Sequence, residues 1–301
     1  MIAITVFTPT YNRARLLPRL YRSLCAQRGK NFEWLIVDDG STDATEEVVI
    51  NSFSQAAFPI RYFRKENGGK HTAINLGAKE ARGELFFIVD SDDCLPPGAT
   101  ATIAAEYSAI KGNPAFAGVC GYMAHSDGDI IGRPLINANT SSIRLRYHYK
   151  VKGDMAEVFK TDVLRAFPFP EIAGERFCPE ALVWNRIAAT YKLKIFSKVV
   201  CIRDYLPGGL SANIVRIRMN SPLGSMATYA EITRAPGIPF PARAKAAINY
   251  WRFRLCHKKR GGTAALPQIS PVWLWAFPIS WAIHLCDIIS TTTPQPTSPK
   301  R

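Results

Sequence analysis

What this chain of 301 residues lacks narrows its chemistry first. Its seven cysteines, at 25, 94, 120, 178, 201, 256 and 286, include no CxxC pair, so the spacing of a zinc or thioredoxin-like site is missing. Scattered singly, they read as small buried hydrophobes of a reducing compartment. The opening MIAITVFTPTYNR has no basic n-region and a single short apolar run, Ile2 to Phe7, so no secretory signal peptide is expected. There is no internal repeat, and no RNA- or DNA-binding motif supports a nucleic-acid partner. An uninterrupted stretch of about 20 apolar residues, the length of a membrane crossing, is also missing. The nearest candidate, 271–289, is broken by Pro278 and carries His284 and Asp287. Acidic residues are scarce: Asp plus Glu is 24 against 38 Lys plus Arg, a net charge of +14. That surplus suits an anionic partner, whether a phosphorylated ligand, an anionic membrane or nucleic acid.

What is present begins with alternation. Short β-branched runs at 2–8, 32–38, 60–64 and 84–90 alternate with helical patterns at 14–28, 43–53 and 70–82. Strand–helix alternation predicts an α/β fold with a mostly parallel, Rossmann-like sheet and helices on both faces. Further strands are expected at 115–123 and 155–160, and a helix at 179–191. Asp43 with Glu46 three residues on reads as a capping-box start. From about residue 211 the pattern turns helical, and 290–301 has the composition of a disordered tail.

Three of the early strands end in polar loops: TPTYNR (8–13), DDGSTD (38–43) and DSDD (90–93). Ligands bind at the carboxyl ends of strands in such sheets, so the three loops read as one site. Asp90, Asp92 and Asp93 repel one another unless a positive charge sits among them. Mn²⁺ or Mg²⁺ takes oxygen ligands and needs few from protein when phosphates supply the rest; a merely solvated acidic loop is the alternative. Gly68 and Gly69 permit close backbone approach, and Lys70 opens a helix whose N-terminus favours anions.

Taken together and in this order, TPTYNR, VDDGSTD and VDSDD resemble the family 2 glycosyltransferases of the GT-A fold, closely over residues 3–95 and more loosely over 150–205. The resemblance implies an inverting, metal-assisted transfer from a nucleotide-sugar, with UDP the expected nucleotide, to a saccharide or lipid-linked acceptor. It implies a donor site drawn from Thr8, Pro9, Tyr11, Arg13, Asp39, Gly69, Lys70, Asp90 and Ser91. In it Tyr11 stacks on the base and Asp39 meets the base edge. It also implies a metal held by Asp92, Asp90 and Asp93. His71, without a metal partner by spacing, is expected to orient a loop or touch the ligand.

Such a displacement needs a base for the acceptor hydroxyl. Family members carry it in an acidic motif at a helix start, and the matching stretch is GERFCPEALVWNR (174–186), where Pro179-Glu180 replaces the commoner Glu-Asp. Glu180 is the expected base and Glu175 the second choice. Trp184 is either an acceptor platform or core. Tyr205, beside the Pro207-Gly208-Gly209 loop, is a candidate phosphate contact. The expected division is a catalytic domain at 1–210 (1–95 for nucleotide, 96–210 for acceptor), a helical extension at 211–289 and a tail. The basic aromatic stretch 242–260 and the Trp-rich 271–289 suggest peripheral attachment to an anionic membrane. The expected location is therefore cytoplasmic, on the inner membrane face. A non-catalytic nucleotide- or sugar-binding scaffold and a basic nucleic-acid binder are the rival readings.

Overall fold

The structure is a computed structural model that describes residues 2–53, 56–132, 137–204, 213–257 and 266–292. In chain order its elements are β1 (Ile4–Thr10), α1 (Leu17–Cys25), β2 (Phe32–Asp38), α2 (Thr45–Ser52), β3 (Ile60–Arg64), α3 (Lys70–Glu80), β4 (Leu85–Ile88) and α4 (Ala99–Ser108). There follow β5 (Phe116–Ala124), β6 (Ala138–Thr140), α5 (Ser142–Tyr147), β7 (Met155–Lys160), α6 (Thr161–Ala166), α7 (Ala181–Thr190) and β8 (Lys192–Ile202). The remainder is helical: α8 (Ile214–Asn220), α9 (Pro222–Arg234), α10 (Phe240–Arg254), a 3-10 turn (Pro271–Trp273) and α11 (Ala276–Thr292).

All eight strands form one sheet in the order β3-β2-β1-β4-β7-β5-β8-β6. β3, β2, β1 and β4 run parallel, as the strand–helix alternation predicts, whereas β7 enters antiparallel between β4 and β5. Side chains of β1 alternate between faces. Ile4 and Val6 join a cluster with Leu17, Leu20 and Leu24 of α1 and Ile103 and Tyr107 of α4. Phe7 points the other way, stacks on Phe86 at 4.8 Å and lies against α3, where its ring leaves no room for a Cβ on Gly77. Helices therefore cover both faces of the sheet, and the carboxyl ends of β1, β2 and β4 lie on adjacent strands.

The chain divides into two compact units, Met1–Glu171 with Val183–Leu206, and Ile172–Leu182 with Pro207–Arg301. This division departs from a simple break near residue 210. The segment 172–182 groups with the later helices because Ile172 packs with Leu223, Met226 and Phe253, and because Glu175 bonds the start of α9.

Within the second unit α10 buries Ala246, Ala247, Tyr250 and Phe253 against α9 and α11. These residues recur at helical spacing, the signature of a core-facing stripe. Trp273 is buried against Ala247 as well. Among the described residues no helix is long and apolar enough to cross a membrane. Tyr205, the Pro207-Gly208-Gly209 loop, Lys258, Lys259, Arg260 and most of the expected tail lie outside the described residues.

Candidate functional site

The loops after β1 and β2 are stitched together. Asn12 takes a left-handed backbone (φ 53°), which Asn tolerates better than most residues. Its Oδ1 accepts from the Thr42 and Asp43 amides at 2.8 and 3.3 Å, and its own N–H donates to Ser41 Oγ at 2.8 Å. Ala44 stands at the N-cap of α2, and Asp43 just before it still caps the helix start: its carboxylate accepts from the Thr45 N–H at 3.1 Å and from the Thr45 hydroxyl, and also from Ala14 N–H. These bonds leave Tyr11 at the crest of the first loop, 46% exposed, with a ring face open to a flat ligand. Thr8 does not share that exposure. It is fully buried, and its hydroxyl accepts from Trp34 Nε1 at 2.9 Å, so its side chain braces the sheet beneath the loop.

Asp39 is buried and organises the loop before α3. Its Oδ1 accepts from Lys65 Nζ (2.8 Å) and Gly68 N–H (2.9 Å), and Oδ2 from Gly69 N–H (2.7 Å). Oδ2 keeps acceptor capacity for one further donor. Gly69 has φ 96° and stands at the N-cap of α3, a backbone open to glycine at little cost. Lys70, the first residue of α3, reaches across to Asp90 Oδ1 at 2.6 Å. His71 is buried edge-on to Phe169, and its Nδ1 has no hydrogen-bond partner among the described residues. Burial holds its imidazole below the ordinary pKa, against the pull of Glu171 and Asp39.

The acidic loop contains its own cation. Asp93 N–H bonds Asp90 C=O at 3.0 Å, closing a turn, and Cys94 pairs with Ile202 through two backbone bonds of 3.0 and 2.7 Å. That bridge carries Arg203 into the carboxylates. Its guanidinium donates to both Asp93 oxygens (2.6–3.1 Å), to Asp90 Oδ2 (2.9 Å) and to Asp154 Oδ2 (3.1 Å). Asp93 is 1% exposed. Burial pushes its carboxyl up to about 6, with Arg203 pulling down and Asp90 and Asp92 adding like charge. At Asp90 burial also pushes upward, but Lys70 and Arg203, helped by Arg13, outweigh it and hold the carboxyl below its ordinary value.

The three carboxylates expected to hold a metal are placed differently from one another. Asp93 is a buried partner of Arg203, Asp90 is shared between two cations, and no group of three His, Cys, Asp or Glu among the described residues is arranged to hold a metal. Asp92 differs. It is half-exposed, and among the described residues no hydrogen bond or ion pair reaches it. Arg203 and Lys70 lie among Asp90, Asp93 and Asp154, and Asp92 adds a further carboxylate beside Asp93. A cation that also binds a diphosphate needs few protein ligands, and one outward carboxylate fits it. Ser91 is buried inside the turn.

The remaining candidates separate. Glu175 is a cap: its two oxygens accept from Leu223 and Gly224 N–H at 2.7 and 2.8 Å, at the start of α9, where a carboxylate is favoured. Both of its oxygens are engaged there. Glu180 is half-buried and immediately precedes α7. Trp184 packs between Phe159 (4.7 Å) and Phe169 (5.9 Å), which supports the core reading of this side chain over an acceptor platform. Arg203 escaped sequence reasoning. The signal was the unbalanced charge of DSDD, which demanded a cation without saying which.

The family model for glycosyl transferase family 2 matches residues 5–163. A Campylobacter jejuni protein, GalNAc(5)-diNAcBac-PP-undecaprenol beta-1,3-glucosyltransferase, is 30% identical over 203 residues, 65% of this chain and 62% of that protein. The chain spans less than two-thirds of the curated relatives it matches, and for some only 15% of their length. Among solved structures, S. aureus TarS 1-349 in complex with UDP superposes with a TM-score of 0.57 at 19% identity, covering 84% of this chain and 70% of that one. The Pyrobaculum calidifontis mannosyltransferase PcManGT, in complex with GDP-Man and Mn²⁺, gives 0.55 at 20% identity, covering 97% and 76%. Both likenesses are of fold.

Proposed function

Because the chain belongs to glycosyl transferase family 2, we propose that it moves a sugar from a UDP-sugar to a saccharide or lipid-linked acceptor, with inversion at the anomeric carbon, at the inner face of the cytoplasmic membrane. The observation that supports the donor site is the half-exposed carboxylate of Asp92 on a loop whose Asp90 is met by Lys70 from the start of α3 and, at longer range, by Arg13 after β1. Tyr11 offers its ring to the base, and Asp39 Oδ2 accepts from the base edge. Lys70 and Arg13 lie beside Asp90, where a diphosphate brings more negative charge. The residue that would hold a divalent cation is Asp92, with Asp90 behind it; bound there with the diphosphate, Mn²⁺ or Mg²⁺ stabilises charge on the leaving group. Glu180 takes the proton of the acceptor hydroxyl. The UDP bound in TarS and the undecaprenol-linked saccharide in the name of the Campylobacter protein support the choice of donor and acceptor.

Thermal-shift titration tests this reading. UDP should stabilise the protein when Mn²⁺ is present and much less without it. Equal stabilisation by random oligonucleotides, and none by nucleotides, would overturn it. Glu180→Gln should keep UDP affinity and lower sugar transfer by roughly 10²–10⁴-fold, the scale of a general base; undiminished transfer would place the base elsewhere.

A further inference from the structure

In the sequence, Pro278, His284 and Asp287 interrupt the apolar stretch 271–289, yet none of them breaks its outer surface. Pro278 is the third residue of α11, inside the first turn, where a missing N–H costs no helical bond. The Asp287 carboxylate is buried and takes Arg252 of α10 at 2.5 and 2.6 Å. Ser280 is fully buried and donates toward Ile248 C=O and Ala276 C=O. His284 Nδ1 lies 3.6 Å from Cys256 Sγ. Ser280, His284 and Asp287 thus turn toward α10 and the residues just after it. The other side presents Leu274, Trp275, Ile279, Trp281, Leu285 and Ile288, each 40–57% exposed. Soluble surfaces rarely show so continuous an apolar face, and where one occurs it marks an interaction.

We propose that this outer face of α11 is an anchor that lies in the interface of an anionic bilayer. The proposal deepens the transferase reading, on which it rests only for the reason the protein needs a membrane. Charge selects the occupant. From residue 207 onward the chain has twelve Lys and Arg against two carboxylates, Glu231 and Asp287, a surplus of ten. A second copy brings the same surplus and is repelled, whereas anionic lipid attracts it. The residue types agree: exposed Trp275 and Trp281 suit the headgroup boundary. At one edge Phe240, 65% exposed, stacks on Trp273 at 5.6 Å, and the Arg243 guanidinium lies 5.7 Å from the same Trp273 ring. An apolar face with a cation at its edge is the pattern of a helix lying in the plane of the interface.

The full-length protein should sediment at low salt with vesicles of equal phosphatidylglycerol and phosphatidylcholine. Brominated acyl chains should quench its tryptophan emission. Trp275→Asp/Trp281→Asp should raise the lipid needed for half-sedimentation by about tenfold or more. Trp275→Phe/Trp281→Phe should still sediment and lose most of the quenching. A single cooperative thermal transition, measured without lipid or nucleotide, shows that each variant is folded. Wild-type protein left in the supernatant, or an Asp variant that sediments like wild type, overturns the anchor. So does a dimer in light scattering that the same Asp substitutions dissolve, since a second copy then covers the face. If UDP stabilises nothing while sedimentation behaves as expected, the transferase reading fails and the anchor stands.

Discussion

Of the arginines held by carboxylates, Arg203 and Arg252 have surroundings that differ instructively. Arg252 meets one carboxylate among the described residues, Asp287, through a two-pronged bond, both side chains mostly buried, and also donates to Asn249. The charges cancel, and the helix that carries Asp287 is left with an uncharged exterior. Arg203 meets three carboxylates, Asp90, Asp93 and Asp154, with a fourth, Asp92, next to them. There one guanidinium is divided among several carboxylates. A one-to-one pair is a packing device; a cluster in which carboxylates outnumber the arginine is open to a further cation or to a ligand that carries one.

The largest effect expected from disturbing this contrast is at Arg203. Arg203→Met leaves Asp93 buried among like charges, and losing one partner of a buried pair costs about 3–5 kcal/mol. Urea unfolding measures it; a loss under about 1 kcal/mol would mean that the cluster does not depend on its arginine. Asp92→Asn should act in the opposite way. Stability without ligand should hold or rise slightly, because a like charge beside Asp93 is gone. Mn²⁺-dependent UDP binding should disappear, and transfer should fall by about 10²-fold or more. A variant stabilised by UDP and Mn²⁺ as well as wild type would remove Asp92 from the metal site.

A smaller effect is expected at the balanced pair. Replacing both members, Arg252→Met with Asp287→Leu, should leave stability within about 1 kcal/mol of wild type, since apolar residues of similar volume often substitute for a buried pair. No such double replacement should work around Arg203, which serves three partners at once. The smallest effect concerns Asp204, whose carboxylate accepts from the Ser126 hydroxyl and amide and from Arg19. These bonds, Ser126 first, hold its pKa at about 2. A depressed folded value means the stabilisation is present above about pH 4, the unfolded value, and is lost as pH falls toward 2. The group is well exposed, so the change in stability is slight, and ¹³C titration of the carboxyl is the suitable measurement. A midpoint near the ordinary value of about 4 would show that the Ser126 bonds are not kept in solution.

Much of the first unit was legible. The strands 32–38, 60–64 and 155–160 fall on β2, β3 and β7, because β-branched runs bounded by turn residues leave little local choice. The three polar loops were legible for the same reason, and parallel connections bring successive strand ends to one side. Other features needed distant partners. Arg203 lies 110 residues from Asp93, at the end of a strand whose place beside β5 no local pattern announces. Glu175 reads as a candidate base, and only α9, 48 residues later, supplies the two amides that it caps. The fate of α10 could have been seen: Ala246, Ala247, Tyr250 and Phe253 share a helical stripe, but its cations drew attention to the other side.

What the residues by themselves determined was the inventory: an alternating α/β chain, three acidic or aromatic loops at strand ends, and a basic, tryptophan-rich tail. Hydrophobic period and turn chemistry act over a few residues, so they can be read locally. Which carboxylate stays available and which face of α11 stays bare were decided only by the tertiary structure. Both depend on charge pairing between groups far apart in the chain, Arg203 with Asp93 and Arg252 with Asp287. A pair of opposite charges is worth making in the interior only where folding brings both partners into contact.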